Sequence, residues 1–230
     1  MKKRKFFFGA AVLIAISGLW YFGVFDGEEQ RMFALIEDQP AMAELWTKAN
    51  STEEQIQKEP ENVTLYIDAG LDWKSIAEQM EGEEEDRLAF FQKSLEAYER
   101  GIEKFGQKNI LFYLNAGNVA QRMGDYAKAE TYYKKAIAIA PADEMAYLAL
   151  TDMYHFKLGK PKEDILPLFE AGIEIMVNPL PLISGRATYL RQIGEYAAAL
   201  EDYRLLSKRF PENQGYTDIV AELEKALSAE

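Results

Sequence analysis

"GDYAKAETYYKKAIAIAP", residues 124–141, is written again with changes as "GEYAAALEDYRLLSKRFP" at 194–211. Both stretches open on Gly, an acidic residue and Tyr, place Ala fourth and sixth and Tyr tenth, and end on Pro at the eighteenth position. Between them, "GKPKEDILPLFEAGIEIMVNP" at 159–179 starts 35 residues after Gly124 and 35 before Gly194, a period of 34–35 residues. Upstream of each Gly, apolar residues recur three and four apart: Tyr113, Ala116 and Ala120; Tyr147, Leu150 and Tyr154; Ile183, Ala187 and Leu190. That spacing puts them on one helix face. Each unit therefore reads as a helix, a Gly-containing turn and a second helix closed by Pro.

The rest of the composition narrows the chemistry. In 230 residues, 48% apolar, there is room for a sizeable core and one or two domains. With no Cys and a single His, His155, the chain has no disulfide framework, thiolate zinc site or Cys nucleophile. No phosphate loop, His-Glu helix motif or nucleophile elbow is present, so neither an enzyme nor a cofactor or metal site is expected. The net charge is −12, and −16 once the stub Lys2, Lys3, Arg4 and Lys5 is set aside. Such a surface repels nucleic acid phosphates. The run "EGEEEDR" at 81–87 has no calcium-loop spacing and reads as solvated charge.

Behind the basic stub, Phe6–Phe25 holds 20 residues without a charge, enough at about 1.5 Å per residue to span roughly 30 Å of hydrocarbon. A transmembrane anchor is the preferred reading, with the N-terminus cytoplasmic, in the cell inner membrane of a bacterial cell, and the C-terminal part periplasmic. The competing reading is a cleaved signal peptide, which would leave "GLWYFGVF" exposed at the new terminus.

The repeat resembles the tetratricopeptide repeat, a 34-residue helical hairpin with small and large residues at fixed places. With Ile110 first, Tyr113 is the bulky fourth residue, Gly117 the small eighth, Ala129 the small twentieth, Tyr133 the twenty-fourth, Ala136 the twenty-seventh and Pro141 the thirty-second. Ala120 departs from the pattern, as does Leu206 in the copy from Leu180, where a small residue is usual. An earlier copy is stretched: Trp73 and Ser94 stand 21 apart where nine is expected, a surplus of 12 to be taken up by an acidic loop or longer helix ends.

The resemblance implies an all-α fold, a right-handed superhelical solenoid of helical hairpins preceded by a single transmembrane helix. The expected divisions are the anchor at 1–25, a helical linker or cap at 26–60, about four repeats at 61–211 and a capping helix at 212–230. Within 26–60, two helices separated near Pro40 are expected, with "STEE" at 51–54 as a capping box that starts another.

In the family, the first helix of each hairpin lines a concave groove. Carried over, the lining comprises Ile67 and Leu71; Leu111, Leu114, Asn115, Asn118, Gln121 and Arg122; Met145, Leu148, Asp152 and His155; and Ser184, Thr188 and Arg191. Several of these apolar residues could instead complete the core. The basic clamp by which some members hold a C-terminal carboxylate is missing, since Ile67, Leu71, Asn115, Met145 and Ala149 stand at its places. The resemblance thus implies a membrane-tethered scaffold that binds a protein or peptide within a membrane complex of secretion, cytochrome assembly or pilus type. The alternative is a structural subunit that associates with its own copies as a homo-oligomer.

Overall fold

The computed structural model describes residues 27–106 and 109–229, and among them there are eleven helices and no strand. The chain divides into two compact units, one ending at Tyr132 and one beginning at Tyr133. The first contains α1 (Gly27–Ala34), α2 (Pro40–Lys58), α3 (Val63–Gln79), α4 (Glu84–Phe105) and α5 (Ile110–Arg122). Helix α6 (Tyr126–Ile139) runs across the division. The second holds α7 (Glu144–Phe156), α8 (Lys162–Ile175), α9 (Leu180–Gln192), α10 (Tyr196–Arg209) and α11 (Gln214–Leu227).

Local chemistry sets the hairpins. Gly124 and Gly194 adopt φ of +78° and +81°, a left-handed conformation that costs side-chain-bearing residues about 1 kcal/mol or more. This reversal lets Asp125 N donate to Ala120 O, and Glu195 N to Leu190 O, each at 2.9 Å, which satisfies a carbonyl the ending helix leaves open. Between hairpins the chain repeats a second device. In Pro60-Glu61-Asn62, Pro141-Ala142-Asp143 and Pro211-Glu212-Asn213, Pro follows a helix end and the third residue caps the next helix. The side chains of Asn62, Asp143 and Asn213 accept from Thr64 N, Met145 N and Gly215 N, and Asn109 does the same for Leu111 N. Such a cap contributes about 1 kcal/mol.

Small residues then admit large ones. A Cβ on Gly70 would collide with the ring of Tyr98, and one on Gly101 with the ring of Phe112. Ala129, Ala136 and Tyr133 are buried, while Tyr113 is half-buried and packs its ring 6.4 Å from that of Tyr132. Leu206, large where the repeat pattern has a small residue, is fully buried in a cluster with Tyr203 and Leu223. In the same cluster, Tyr216, Ile219, Val220 and Leu227 put the apolar face of α11 against α10.

The stretched copy is resolved as helix. Helices α3 and α4 have 17 and 22 residues against 13 and 14 in α5 and α6, so the surplus of 12 lies in longer helices. Glu84, Glu85 and Asp86 occupy the first turn of α4, where the helix dipole favours negative charge by about 0.3–1 kcal/mol each. Glu83 and Asp86 form a capping box there. The "STEE" segment, by contrast, starts no helix, because α2 continues through it to Lys58. The hydroxyl of Thr52 donates to Lys48 O and to the buried carboxylate of Asp72, which also binds Lys48 Nζ at 2.6 Å. The buried stripe Trp46, Ala49, Thr52 and Ile56 runs unbroken past the expected cap.

One expectation is corrected. Among the described residues no helix is long and apolar enough to cross a membrane, which overturns the assignment as a single-pass inner-membrane protein with a transmembrane signal anchor and a periplasmic C-terminal domain. The longest helix, α4, carries ten charged side chains in its 22 residues, and removing them from water into hydrocarbon would be prohibitive. The segment Phe6–Phe25, on which that assignment rested, lies outside the described residues.

Candidate functional site

In the second unit, α7 turns Ala146, Tyr147, Leu150, Met153 and Tyr154 into the core and leaves Leu148, Asp152 and His155, at i, i+4 and i+7, on another face. Opposite them α9 presents Pro181, Ser184, Gly185, Thr188 and Gln192. These two faces, with Phe156, Phe169 and Tyr189, enclose a pocket of about 270 Å³. Gly185 sets how closely its walls come together. A Cβ there would lie 2.7 Å from Leu148 Cδ2 and 3.1 Å from Phe169 Cε1, so the bare Cα lets side chains of α7 and α8 reach the surface of α9.

The walls are apolar and aromatic. Phe169 and Tyr189 are buried, Tyr189 stands edge-on to His155 with ring centroids 5.0 Å apart, and Phe156 stands 4.5 Å from His155 while remaining 61% exposed. The hydroxyls are mostly engaged: Thr151 Oγ1 donates to Tyr147 O at 2.9 Å, and Thr188 Oγ1 to Ser184 O at 2.9 Å.

Asp152 differs. Among the described residues it is the only acid in the lining, and no hydrogen bond to its carboxylate is found. The residue is exposed, but the packing around the carboxyl partly desolvates it and raises its pKa, an effect that the neighbouring His155 opposes. Burial, assisted by Asp152, pushes the Tyr133 phenol up to about 12.

Of the residues expected to line a groove, Leu148, Asp152, His155, Ser184 and Thr188 meet in this pocket. Met145 lies outside it and is 59% exposed, and Arg191 is half-buried and also outside it. In the first unit, Leu111 and Leu71 are exposed, Ile67 packs on the core, and Leu114, Asn115, Asn118 and Gln121 are half-buried. Asn118 holds its Oδ1 buried with no hydrogen-bond partner. Arg122 pairs with Glu78 at 3.2 Å beside a separate pocket of about 360 Å³ that Arg87, Leu88 and Phe91 also line.

Phe156, Phe169, Gly185 and Tyr189 were not identified as site residues from sequence. Phe169 arrives from the second helix of its hairpin, and the one local sign was a Gly inside a helical run.

A larger cavity of about 520 Å³ in the first unit is lined by Glu53, Trp73, Glu96, Arg100 and Glu103 among others. Its central carboxylate is already satisfied, since Arg100 donates to both oxygens of Glu53 at 2.7 Å and Trp73 Nε1 donates at 3.2 Å. The pocket between α7 and α9 therefore offers the less saturated chemistry.

The family model described as "Tetratricopeptide repeat" matches residues 110–143, which are α5, α6 and the turns around them. A tetratricopeptide repeat protein from Parabacteroides merdae ATCC 43184 superposes with a TM-score of 0.56 at 18% identity, over 86% of this chain and 74% of that one. YrrB, described as a TPR protein with an unusual peptide-binding site, superposes with a TM-score of 0.52 at 18% identity, over 78% of this chain and 85% of its own. No curated protein matches the chain. The chain thus carries a tetratricopeptide repeat at residues 110–143 and has the all-α fold of tetratricopeptide repeat proteins.

Proposed function

We propose that this protein is a non-catalytic scaffold and that its second unit holds a segment of a partner protein in the pocket between α7 and α9. The observation that carries this reading is a preformed apolar pocket with an unpartnered carboxylate, Asp152, and an exposed aromatic ring, Phe156, at one place. Apolar walls with a few unsatisfied polar groups are the common composition of binding sites. YrrB, a protein of like fold with a peptide-binding site, supports the class of ligand. At about 270 Å³ the pocket suits one anchoring side chain rather than a whole small molecule of ordinary size. Flanking contacts would then come from the faces of α7 and α9.

Peptides selected from a random library on the full chain test this. Ser184→Trp fills the pocket from its half-buried rim, and it should weaken the selected peptides by tenfold or more while leaving the melting temperature within a few degrees. Undiminished binding to a folded Ser184→Trp variant would sink the reading.

A further inference from the structure

We infer that the anchoring side chain is cationic, a Lys or Arg of the partner whose aliphatic stem lies along the pocket walls and whose charged tip meets Asp152. This rests on the peptide-binding reading above and adds the chemistry of the partner.

The argument starts from what Asp152 lacks. A carboxylate has about four acceptor positions, and the two buried aspartates of the described residues each accept from two donor groups. Asp72 takes Lys48 and Thr52, and Asp202 takes the fork of Arg186 through Nε at 2.9 Å and a terminal nitrogen at 2.7 Å. Asp152 is exposed and has no such donor among the described residues, although the protein around it removes part of its water. A carboxylate that has lost part of its water and has no protein donor is a ready partner for an incoming cation at the pocket.

The rest of the pocket selects the shape of that cation. No Lys or Arg lines it, so nothing in it competes for Asp152 except the imidazole of His155. Leu148, Phe169 and Tyr189 supply apolar wall, and the exposed ring of Phe156 offers a face for a cation or its methylene stem. A short acidic or amide side chain would leave that wall wet. A purely aliphatic one would cover it and leave Asp152 unpaired. A long stem ending in positive charge answers both, and the net charge of −12 would draw such a segment in from a distance.

The test uses the selected peptides and the full chain. They should share a Lys or Arg, and replacing it by norleucine, which keeps the stem and removes the charge, should weaken binding roughly tenfold or more. Asp152→Asn should cause a loss of the same order, and on that variant the lysine and norleucine peptides should bind alike. If Asp152→Asn unfolds the protein, the norleucine comparison on the unaltered chain still decides the matter. Peptides that Ser184→Trp displaces but that tolerate norleucine, or that share an acidic or aliphatic anchor, would overturn this inference and leave the peptide-binding reading standing. Peptides indifferent to Ser184→Trp would remove both.

Discussion

The ring of Tyr98, on α4, occupies the space into which a Cβ on Gly70, on α3, would project. Two helices of one hairpin can lie this close only because one of them has no side chain at the crossing, and the ring, fully buried, fills the contact. The approach also shuts the Tyr98 hydroxyl away without a hydrogen-bond partner. Burial, followed by the charges of Asp72, Asp68 and Glu78, drives its pKa far upward.

Gly70→Ala should therefore destabilise the protein although Ala favours helix. Over-packing costs about 1–3 kcal/mol against roughly 1 kcal/mol of helix propensity gained, and steric conflict with a ring held on all sides belongs at the upper end. A net loss of about 2 kcal/mol would lower the melting temperature by roughly 4–8 °C. Gly27→Ala, where the added carbon meets nothing within 4 Å among the described residues, serves as the control and should change little. Equal melting temperatures for the two variants would refute close nesting at Gly70.

In the second unit, Arg186 on α9 and Asp202 on α10 form a two-point ion pair with the carboxylate nearly buried. Removing one member strands the other, at about 3 kcal/mol. Arg186→Met should show that loss in chemical denaturation. The double variant Arg186→Met/Asp202→Leu should recover most of it, because no charge is left desolvated. A double variant less stable than the single one would mean that the pair itself, rather than its stranded carboxylate, dominates.

Alkali should unfold the chain as its tyrosines ionise. The Tyr133 pKa is raised from 10.0 to about 12 by burial, and those of Tyr98 and Tyr132 are raised as well. A group whose folded value lies above its unfolded one contributes stability that is present below the unfolded value and lost as pH rises through the folded one. For Tyr133 that window runs from pH 10.0 to about 12. Tyrosinate absorbance and helical circular dichroism should change together there, and Tyr133→Phe should move the transition to higher pH. Full ionisation of all tyrosines with the helices intact would contradict their burial.

Asp152 should register as a cost in the free protein. Desolvation raises its pKa from 3.8, so the stability tied to its neutral form is present below pH 3.8 and declines as pH rises through the higher folded value. Asp152→Asn should then leave the neutral-pH melting temperature unchanged or slightly higher, with the difference vanishing in acid. A clear drop at neutral pH would reveal a stabilising partner for the carboxylate.

The turns between hairpin helices were legible because they are local. A positive φ at Gly124 and Gly194 favours glycine, and continuing α6 or α10 through the Pro that follows it would forfeit a backbone hydrogen bond. The caps at Asn62, Asp143 and Asn213 are equally local, each two residues beyond the Pro that follows a helix end. The "STEE" run shows the opposite outcome: its capping chemistry was outweighed by a buried stripe in which Thr52 turns its hydroxyl to Asp72, 20 residues away. Whether a Thr caps or buries is settled by what lies across from it.

By itself the sequence determined the hairpin repeat, its period and its turns, because each follows from the conformational limits of one residue or the periodicity of one helix. The tertiary structure alone decided that the surplus of 12 residues became helix and that Phe169 and Tyr189 would close a wall beside Asp152. Those outcomes depend on how near Gly185 lets separate helices come and on which polar groups find donors, and both are properties of packing between segments distant in the chain.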